Sequence, residues 1–313
     1  MASPDEGQGK SHVDIVGIGP ITWDKFVIVP RLPGPNERVK AIRIDEFAGG
    51  ISTNILAALR RWKLKCRLVS VVGYDEHSLR IIDDLTQEGL DTDGLLRMED
   101  VEGQTNIIVV DNRNGTRSLI QGPRCRNGAL PIRPELLRPW WFEHARILHI
   151  ETTADECALE AIELAKRNNM KILATLSDRP ESRTSEVLRK ADWIIAESSV
   201  ATELTKEVDP SQAAYALHLM TDVPTIVTCG PEGCVYVNGR QTLRQAAVDV
   251  PVVDRTGAGA VFHAGFLYGM LAAWDIEKTL RIACWAAGMA CREIGGRKGI
   301  PSDEQLKRFS HGF

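Results

Sequence analysis

A glycine-rich segment late in the chain has the residue types of an anion-binding turn. Residues 254–259 read DRTGAG, and from Ala258 onward apolar residues recur at helical spacing. Free backbone N–H groups and the positive end of the helix dipole converge at such a helix start. Gly257 and Gly259 lack the Cβ atoms that would keep a phosphate away. The segment predicts a phosphate site, although a tight strand–helix connection without a ligand has the same pattern.

Two more clusters place polar groups and glycines where apolar runs end. Asp24 follows the first apolar run, and residues 49–54 (GGISTN) begin the next helical stretch. A carboxylate and an amide at neighbouring strand ends suit the recognition of vicinal hydroxyls. Residues 228–233 (TCGPEG) end a later strand and turn through two glycines. Taken alone, each cluster is equally explained by a capping aspartate or a plain β-turn.

Several common catalytic motifs are missing from the sequence. There is no G-x-x-x-x-G-K-[ST], and residues 17–20 (GIGP) lack the third glycine of a dinucleotide fingerprint. Neither H-E-x-x-H nor G-x-S-x-G occurs. These absences remove the main sequence support for a P-loop protein, a Rossmann dehydrogenase, a zinc peptidase and a serine hydrolase.

The elements that must position these residues alternate in type along the chain. Short apolar, β-rich runs are followed by amphipathic helical stretches, a pattern typical of a parallel sheet covered by helices on both faces. The predicted strands are 13–19, 66–72, 146–150, 171–175, 192–195 and 224–228, and the predicted helices include 52–62, 75–88 and 154–166. The pattern predicts an α/β fold.

Two extended segments, about 25–47 and 104–121, interrupt this alternation. Within the second, NIIVV and RSLI flank DNRNGT, the composition of a hairpin. Such strands would form a small sheet, a lid over the crevice at the carboxyl ends of the main strands. A small exposed sheet also has an apolar face to cover, which favours a homodimer through the lid.

Composition narrows the class of protein further. The chain has 313 residues, 43% hydrophobic and 26% charged, with a net charge of −4. This balance indicates a globular chain and gives no basic footprint for nucleic acid or a membrane surface. No apolar run is long enough to span a bilayer, and residues 1–12 are interpreted as a disordered polar leader before one domain, 13–313. Seven scattered cysteines predict reduced thiols and a cytoplasmic location.

The order and spacing of the three clusters resemble the PfkB, or ribokinase-like, family of carbohydrate and nucleoside kinases. The resemblance extends roughly from Val13 to Ile300, and D-x-x-G-A-G is its most specific mark. In detail the chain is similar to the ketohexokinase and sulfofructose kinase branches; residues 261–266 (VFHAGF) and 295–301 (GGRKGIP) are like the latter. The resemblance implies a three-layer α/β/α fold with a mostly parallel central sheet and a small β-sheet lid.

The resemblance also implies an activity and the residues that serve it. The activity is transfer of the γ-phosphoryl group of ATP, with Mg²⁺, to a hydroxyl of a small, ketose-like sugar. Its implied acceptor residues are Asp24, Gly50 and Asn54, together with Arg117 of the lid hairpin, which would reach the acceptor or the phosphates when the lid closes. Its implied nucleotide and phosphoryl residues are Thr228, Gly230, Gly233, Gly257, Ala258 and Gly259.

Four positions depart from the pattern of the family or of one of its branches. The family has an aspartate after G-A-G as general base, and here that position is Ala260; losing such a base typically costs about 10²–10⁴-fold in rate. The N-x-x-E segment that supports Mg²⁺ and phosphate aligns best with ESSV, beginning at Glu197. Ile51 replaces a frequent sugar-binding asparagine, and Thr153 stands near the place of an arginine that meets a sulfonate, although Arg38 could supply one cation.

Ala260 has two explanations. It is either a substitution made to trap a substrate complex, which the retained glycines and Asp24 favour, or the mark of a natural pseudokinase that binds ligands and signals by shape. A nucleoside kinase of the same fold is a further alternative. Among the remaining residues, His263 is expected to be a packed or surface histidine, and Asp178 could face the acceptor.

Overall fold

The chain forms the predicted alternation of strands and helices. The computed structural model describes residues 12–122, 132–152, 155–177 and 182–312. The strands are β1 (Ile15–Ile18), β2 (Thr22–Val29), β3 (Arg43–Gly49), β4 (Cys66–Val72), β5 (Leu95–Arg97), β6 (Gln104–Asp111), β7 (Arg117–Gln121), β8 (Ile147–Glu151), β9 (Lys171–Leu176), β10 (Trp193–Glu197), β11 (Thr225–Thr228), β12 (Cys234–Asn238) and β13 (Gln241–Gln245). The helices are α1 (Ile51–Arg61), α2 (Glu76–Gln87), α3 (Asp155–Arg167), α4 (Thr184–Arg189), α5 (Ser198–Thr205), α6 (Pro210–Thr221), α7 (Ala258–Leu271), α8 (Ile276–Ala290) and α9 (Asp303–Ser310).

The main sheet has the strand order β13-β12-β11-β10-β9-β8-β1-β4-β5. From β11 to β5 all neighbours pair in parallel, whereas β12 and β13 are antiparallel. Every residue of β1 and of β4 is buried because helices cover both faces. One apolar cluster packs with α3–α6 and a second with α1, α2 and α7–α9. The predicted three-layer α/β/α architecture is confirmed.

Element boundaries differ from the predicted ones by a few residues, for identifiable reasons. The predicted helix 75–88 is α2, and Asp75 is its N-cap, whose carboxylate accepts from the backbone N–H groups of His77 and Ser78. The strand predicted over 146–150 runs instead from Ile147 to Glu151, because pairing with β9 continues to Glu151. Among the described residues, no helix has the length and apolar character needed to cross a membrane.

A separate sheet in the order β3-β2-β6-β7, here called the lid sheet, confirms the predicted small β-sheet. Its strand β2 begins earlier than the predicted lid segment, because its backbone pairs with β3 and β6 from Thr22 onward. Asp24 is therefore on a lid strand rather than in a loop at a strand end, which corrects the sequence interpretation. The hairpin predicted around DNRNGT is the antiparallel pair β6–β7.

Candidate active site

The first turn of α7 has uncovered backbone N–H groups. Gly257 is its N-cap at φ 77°, no side chain caps the helix, and the first turn contains no acidic residue. A Cβ atom on Gly257 would clash with the backbone of Gly296. A Cβ atom on Gly259 would meet no heavy atom within 4 Å. The predicted glycine-rich helix start is therefore present, with open space where an anion would bind. We call residues 257–259 the anion turn.

Buried Asp254 holds the segment before the anion turn in place. One carboxylate oxygen accepts from the backbone N–H of Thr256 at 2.9 Å and from its hydroxyl at 2.8 Å. The other oxygen accepts from the backbone N–H of Gly295 at 2.8 Å. Since all three donors belong to loops, the aspartate of the D-x-x-G-A-G motif fixes two loops against each other.

The lid sheet reaches the anion turn through Arg117. A guanidinium N–H of this residue donates to the hydroxyl of Thr256 at 3.2 Å, across 139 positions of sequence. The side chain is otherwise exposed. The hairpin was expected to supply a cation, and this cation, Arg117, lies next to the segment that leads into α7.

The start of α1 lies close to the loop around Gly296, the same loop that contacts Gly257. Gly50 is its N-cap at φ 106° and has no side chain to cap the helix. In its first turn, Asn54 accepts a hydrogen bond through Oδ1 from Arg297 at 3.1 Å, which leaves its Nδ2 group to donate. A Cβ atom on Gly296 would lie 3.5 Å from that Nδ2 atom. Gly296 therefore lies between Asn54 and Gly257, and the two predicted clusters meet there.

Asp24 lies on the lid sheet, near the start of α1. Its Oδ1 accepts from the Thr22 hydroxyl at 2.7 Å and from Asn106 Nδ2 at 2.9 Å. A Cβ atom on Gly49 would clash with the Asp24 carboxylate, so only glycine fits there. Burial raises the pKa of Asp24, opposed in part by these two hydrogen bonds and by the charge of Arg297. Asp24 is thus a hydrogen-bond acceptor beside the start of α1.

Arg297 joins these elements, and the sequence reasoning assigned it no role. Its side chain is 5% exposed and donates to Asp84 at 2.6 Å, to the backbone carbonyl of Ala48 and to Asn54. A buried guanidinium with several acceptors is rigidly oriented. The GGRKGIP segment was noticed as a family mark, but the partners of Arg297 lie 213 to 249 positions away in sequence.

A second residue missed from the sequence is Glu151 at the carboxyl end of β8. It is 3% exposed, and Oε1 accepts from the backbone N–H of Ser52 at 2.9 Å and from its hydroxyl at 2.7 Å. A carboxylate at the start of a helix is favoured by the helix dipole. The end of the apolar run at Ile150 was the available signal, because the next residue is charged.

His263 is packed beneath the anion turn, as expected for a structural histidine. Its Nδ1–H donates to the carbonyl of Gly259 at 2.7 Å, and its ring meets the ring of buried His149 edge-on at 6.1 Å. Burial lowers the pKa of His263 to about 4, although the bond to Gly259 opposes the change. His263 therefore supports the backbone of the turn in its neutral form.

The residues predicted to contact the nucleotide lie at or just after the carboxyl ends of the main strands, the edge at which Glu151 also lies. Thr228 ends β11 and pairs in register with exposed Glu197, which ends β10. Gly230 and Gly233 have φ of 55° and 92°, and a Cβ atom on Gly233 would clash with the β13 backbone. Glu151 of β8 is three strands away, about 14 Å at the usual strand spacing.

The remaining predicted positions are placed as follows. Ala260 is 7% exposed in the first turn of α7, where its methyl group packs in the core. Arg38 is exposed, and Thr153 and Asp178 lie outside the described residues. Within the described ranges, no three His, Cys, Asp or Glu residues form a group that could hold a metal ion.

Comparisons with known proteins agree with this geometry. A family model described as pfkB family carbohydrate kinase matches residues 13–303. A 5-dehydro-2-deoxygluconokinase of Listeria monocytogenes is 24% identical over 287 residues, 86% of this chain and 88% of that protein. A ribokinase of Lactococcus lactis is 24% identical over 292 residues, 93% of this chain and 94% of that protein.

Similarity also extends to solved structures. Arabidopsis thaliana ribokinase complexed with ribose and ATP has a TM-score of 0.78 to this chain at 20% identity, over 96% of this chain and 99% of that one. Because the family model spans nearly the whole chain, the resemblance inferred from the motifs is confirmed: the chain belongs to the pfkB family of carbohydrate kinases.

Proposed function

We propose that residues 13–313 form one kinase domain that binds ATP and a small, ketose-like sugar side by side, and that Ala260 makes phosphoryl transfer between them slow. The observation that carries the proposal is the anion turn. Its helix start is free of capping side chains and acidic residues, and it lies next to Asn54 and Arg117. This combination suits a migrating phosphoryl group opposite a polar acceptor.

The phosphate side of the crevice binds through the backbone. The N–H groups of Gly257, Ala258 and Gly259 lie at the start of α7, where the helix dipole favours negative charge. That of Ala258 also donates to the carbonyl of Arg255 at 3.3 Å. Arg117 adds a cation from the lid sheet. Thr228, Gly230 and Gly233 would lie along the rest of the nucleotide. Together these groups would hold the charge that is spread over the phosphoryl oxygens in the transition state.

The acceptor side binds through side chains with opposite hydrogen-bonding roles. Asp24 accepts, and Asn54 donates because Arg297 occupies its Oδ1. A diol or hydroxy-ketone offers one donor and one acceptor to such a pair. Gly50 would contribute only its backbone, since a Cβ atom there would clash with the Pro20 carbonyl.

Phosphoryl transfer also requires a proton acceptor. The acceptor oxygen forms a bond to the γ-phosphorus as the bond from that phosphorus to the ADP oxygen breaks, and the hydroxyl proton must leave. The Ala260 methyl group cannot take it. His263 does not replace the missing base, since its Nδ1–H donates to Gly259 and its basic nitrogen, Nε2, is buried. Sugar and nucleotide would therefore bind and react slowly.

Mg²⁺ would be held chiefly by the nucleotide and water. Neutralising phosphate charge is the chemistry that Mg²⁺ supplies when bound, and it usually keeps several waters in place. The described residues have no three-carboxylate or histidine group to bind it alone. Exposed Glu197, at the edge shared with Thr228, is the carboxylate whose position fits a supporting role.

Restoring the base tests the proposal. Ala260→Asp should raise kcat by at least about 10²-fold in an ADP-release assay with a panel of ketoses, aldoses and nucleosides. The helix dipole favours an aspartate in the first turn of α7, whereas burial at position 260 opposes its charge. Ala260→Asn is the matched control, since it has the same size without a proton acceptor.

The outcome separates the alternatives. A gain in Ala260→Asp but not in Ala260→Asn, greatest with ketoses, supports a sugar kinase with an inactivated site. A gain greatest with nucleosides supports the nucleoside kinase. Sugar binding with no turnover in either variant supports a natural sugar-binding regulatory protein, and an unchanged rate with every acceptor removes the role given to position 260.

A homodimer through the lid sheet is also proposed. Ile44 of β3, Ile107 of β6 and Ile120 of β7 alternate onto the same face of the lid sheet and are 55%, 40% and 58% exposed. A second copy would cover this face. Ile120→Lys should shift the chain from dimer to monomer in size-exclusion chromatography with light scattering. Leu219→Lys, at a 65% exposed site on α6, should not.

The cysteines support a reducing compartment, and we propose that the protein works in the cytoplasm. The described cysteines are free thiols, including Cys234 and Cys284, whose sulfur atoms are 3.8 Å apart. Unpaired neighbouring thiols persist where the cell keeps thiols reduced. Fractionation of cells that express the full chain tests this location.

A further inference from the structure

A second cavity opens at the edge of the main sheet opposite to the candidate active site. Its volume is about 510 Å³, within the range of small-molecule sites. Its walls include the first residues of three strands, Ile147 of β8, Lys171 of β9 and Trp193 of β10. We call it the amino-edge cavity. The residues of the candidate active site lie at the other ends of these strands, as Glu151 and Glu197 show.

Aromatic side chains form much of the wall. Trp193 and Trp274 are half-buried, whereas Tyr236 and Phe266 are 5% and 1% exposed. The exposed part of each half-buried indole ring is available to a ligand, and the buried rings provide a rigid floor. The ring of Trp274 also has the Lys278 ammonium 5.0 Å from its centre and the Tyr268 ring at 5.6 Å. Met270, in the last turn of α7, adds an adaptable apolar side chain. These walls suit a planar ring system.

The charged residues of the wall are all positive. Arg146 and Lys171 line the cavity, and no carboxylate does, although the chain as a whole carries a net charge of −4. Each cation has one carboxylate beside it: Asp14 lies 3.9 Å from Arg146, and Asp192 lies 3.0 Å from Lys171.

Both cations retain donors for a further partner. Arg146 also donates to the carbonyl of Leu271 at 3.1 Å, and the ammonium of Lys171 lies 5.9 Å from the centre of the Trp193 ring. A guanidinium has five N–H donors and an ammonium three, so the contacts with carboxylates and carbonyls leave some of them unused. The two side chains are 52% and 60% exposed, and a ligand can reach them.

We propose that the amino-edge cavity binds a small aromatic anion, a planar compound of one or two rings with one acidic group. The rings would pack against Trp193 and Trp274, and the acidic group would meet Arg146 and Lys171. The site is separate from the one proposed for ATP and sugar. One helix links them, because α7 begins at the anion turn and its last residues, Met270 and Leu271, line this cavity.

Calorimetric titration of the full chain with indole-3-acetate tests the proposal. The neutral amide, indole-3-acetamide, is the matched ligand because it has nearly the same shape without the charge. We expect one molecule of the acid to bind per chain, at least fivefold more tightly than the amide. Saturating ATP should leave both affinities unchanged.

Variants then assign the binding to this cavity. The double variant Arg146→Gln/Lys171→Gln removes two exposed charges and should fold normally, as a thermal melt can verify. It should bind the acid no more tightly than the amide. Trp274→Ala should weaken both ligands, and Lys166→Gln, at an exposed site on α3, should change neither. Absence of binding, displacement by ATP, or a preference for the acid that survives in the double variant overturns the proposal.

Discussion

The proposed acceptor side and the proposed phosphate side of the active site are built from different parts of the chain. On the acceptor side, Asn106 donates a hydrogen bond to Asp24, and Arg297 donates to both Asn54 and Asp84. The charge of Arg297 also acts on Asp24. On the phosphate side, the anion turn offers backbone N–H groups and open space. The first arrangement depends on side chains from distant segments, and the second on a local backbone conformation.

This difference indicates which changes each side can tolerate. A side-chain network loses its geometry when one buried member is removed, because the remaining polar groups are left without partners. A backbone site is insensitive to most side chains but sensitive to any Cβ atom that enters it. Position 260 belongs to both sides. It lies on the helix of the phosphate side, and its side chain would act on the acceptor.

Removing Arg297 should have the largest effect and should separate the two sides. Arg297→Met removes the cation that pairs with Asp84 and the donor to the Ala48 carbonyl, so we expect a loss of about 3–5 kcal/mol in the free energy of unfolding, measured by urea denaturation. At temperatures where the variant is folded, sugar binding should be lost and ATP binding retained.

Lys298→Met is the control for this prediction. The neighbouring lysine pairs with Asp45 and is 45% exposed, so its removal should cost less than about 1 kcal/mol. If the two variants denature alike, Arg297 does not organise the acceptor side.

Replacing Asp24 should weaken sugar binding while stabilising the fold. Hydrogen bonds to a charged group contribute about 1.5–3 kcal/mol each, so Asp24→Asn should weaken sugar binding by about 10–100-fold in calorimetry. Burial raises the pKa of Asp24, so the folded chain holds this proton more tightly than the unfolded chain and loses stability as the pH rises past the ordinary value of 3.8.

The raised pKa of Asp24 also predicts how stable the Asp24→Asn variant is. Its Tm should exceed that of the parent chain at pH 7, and the difference should shrink as the pH is lowered toward 3.8. A lower Tm at pH 7, or a difference independent of pH, would show that the carboxylate stabilises the fold and is not held at a cost for binding.

Two glycine substitutions should have smaller and opposite effects on stability. Gly257→Ala forces a φ of 77° on an L-residue and brings its Cβ into Gly296, so we expect a loss of about 1–2 kcal/mol. Gly259→Ala adds a helix-favouring residue in open space, so we expect a gain of about 0.5–1 kcal/mol. Thermal denaturation measures both.

ATP affinity should fall in both variants, because either methyl group disturbs the anion turn. This pairing separates folding from binding, since Gly259→Ala should bind ATP less well while melting at a higher temperature. Unchanged ATP affinity in Gly259→Ala would place the phosphates elsewhere.

The phosphate side could be predicted from the sequence because its signals are local. The start of α7 at Ala258 follows from glycines and helical spacing within a few residues, and the β6–β7 hairpin follows from its turn residues. These elements obey short-range rules of backbone conformation. The family resemblance then supplied the roles.

The acceptor side could be predicted only in part because its contacts are not local. Asp24 and Asn54 were singled out, but nothing near Arg297 in the sequence indicates that it binds Asn54, 243 positions away. Glu151 was missed because an apolar run predicts where a strand is buried, whereas pairing with the next strand decides where it ends. The position of Asp24 on β2 likewise depends on pairing with β3 and β6.

Backbone amide NMR spectra of the full chain with MgATP and with MgAMP test whether the outer phosphates of ATP bind at the anion turn. AMP has the base, the ribose and one phosphate, but neither of the outer phosphates. If they bind there, ATP should shift the amide resonances of Gly257, Ala258 and Gly259, and AMP should leave them in place. Resonances that do not move with ATP, or that move equally with AMP, would contradict it.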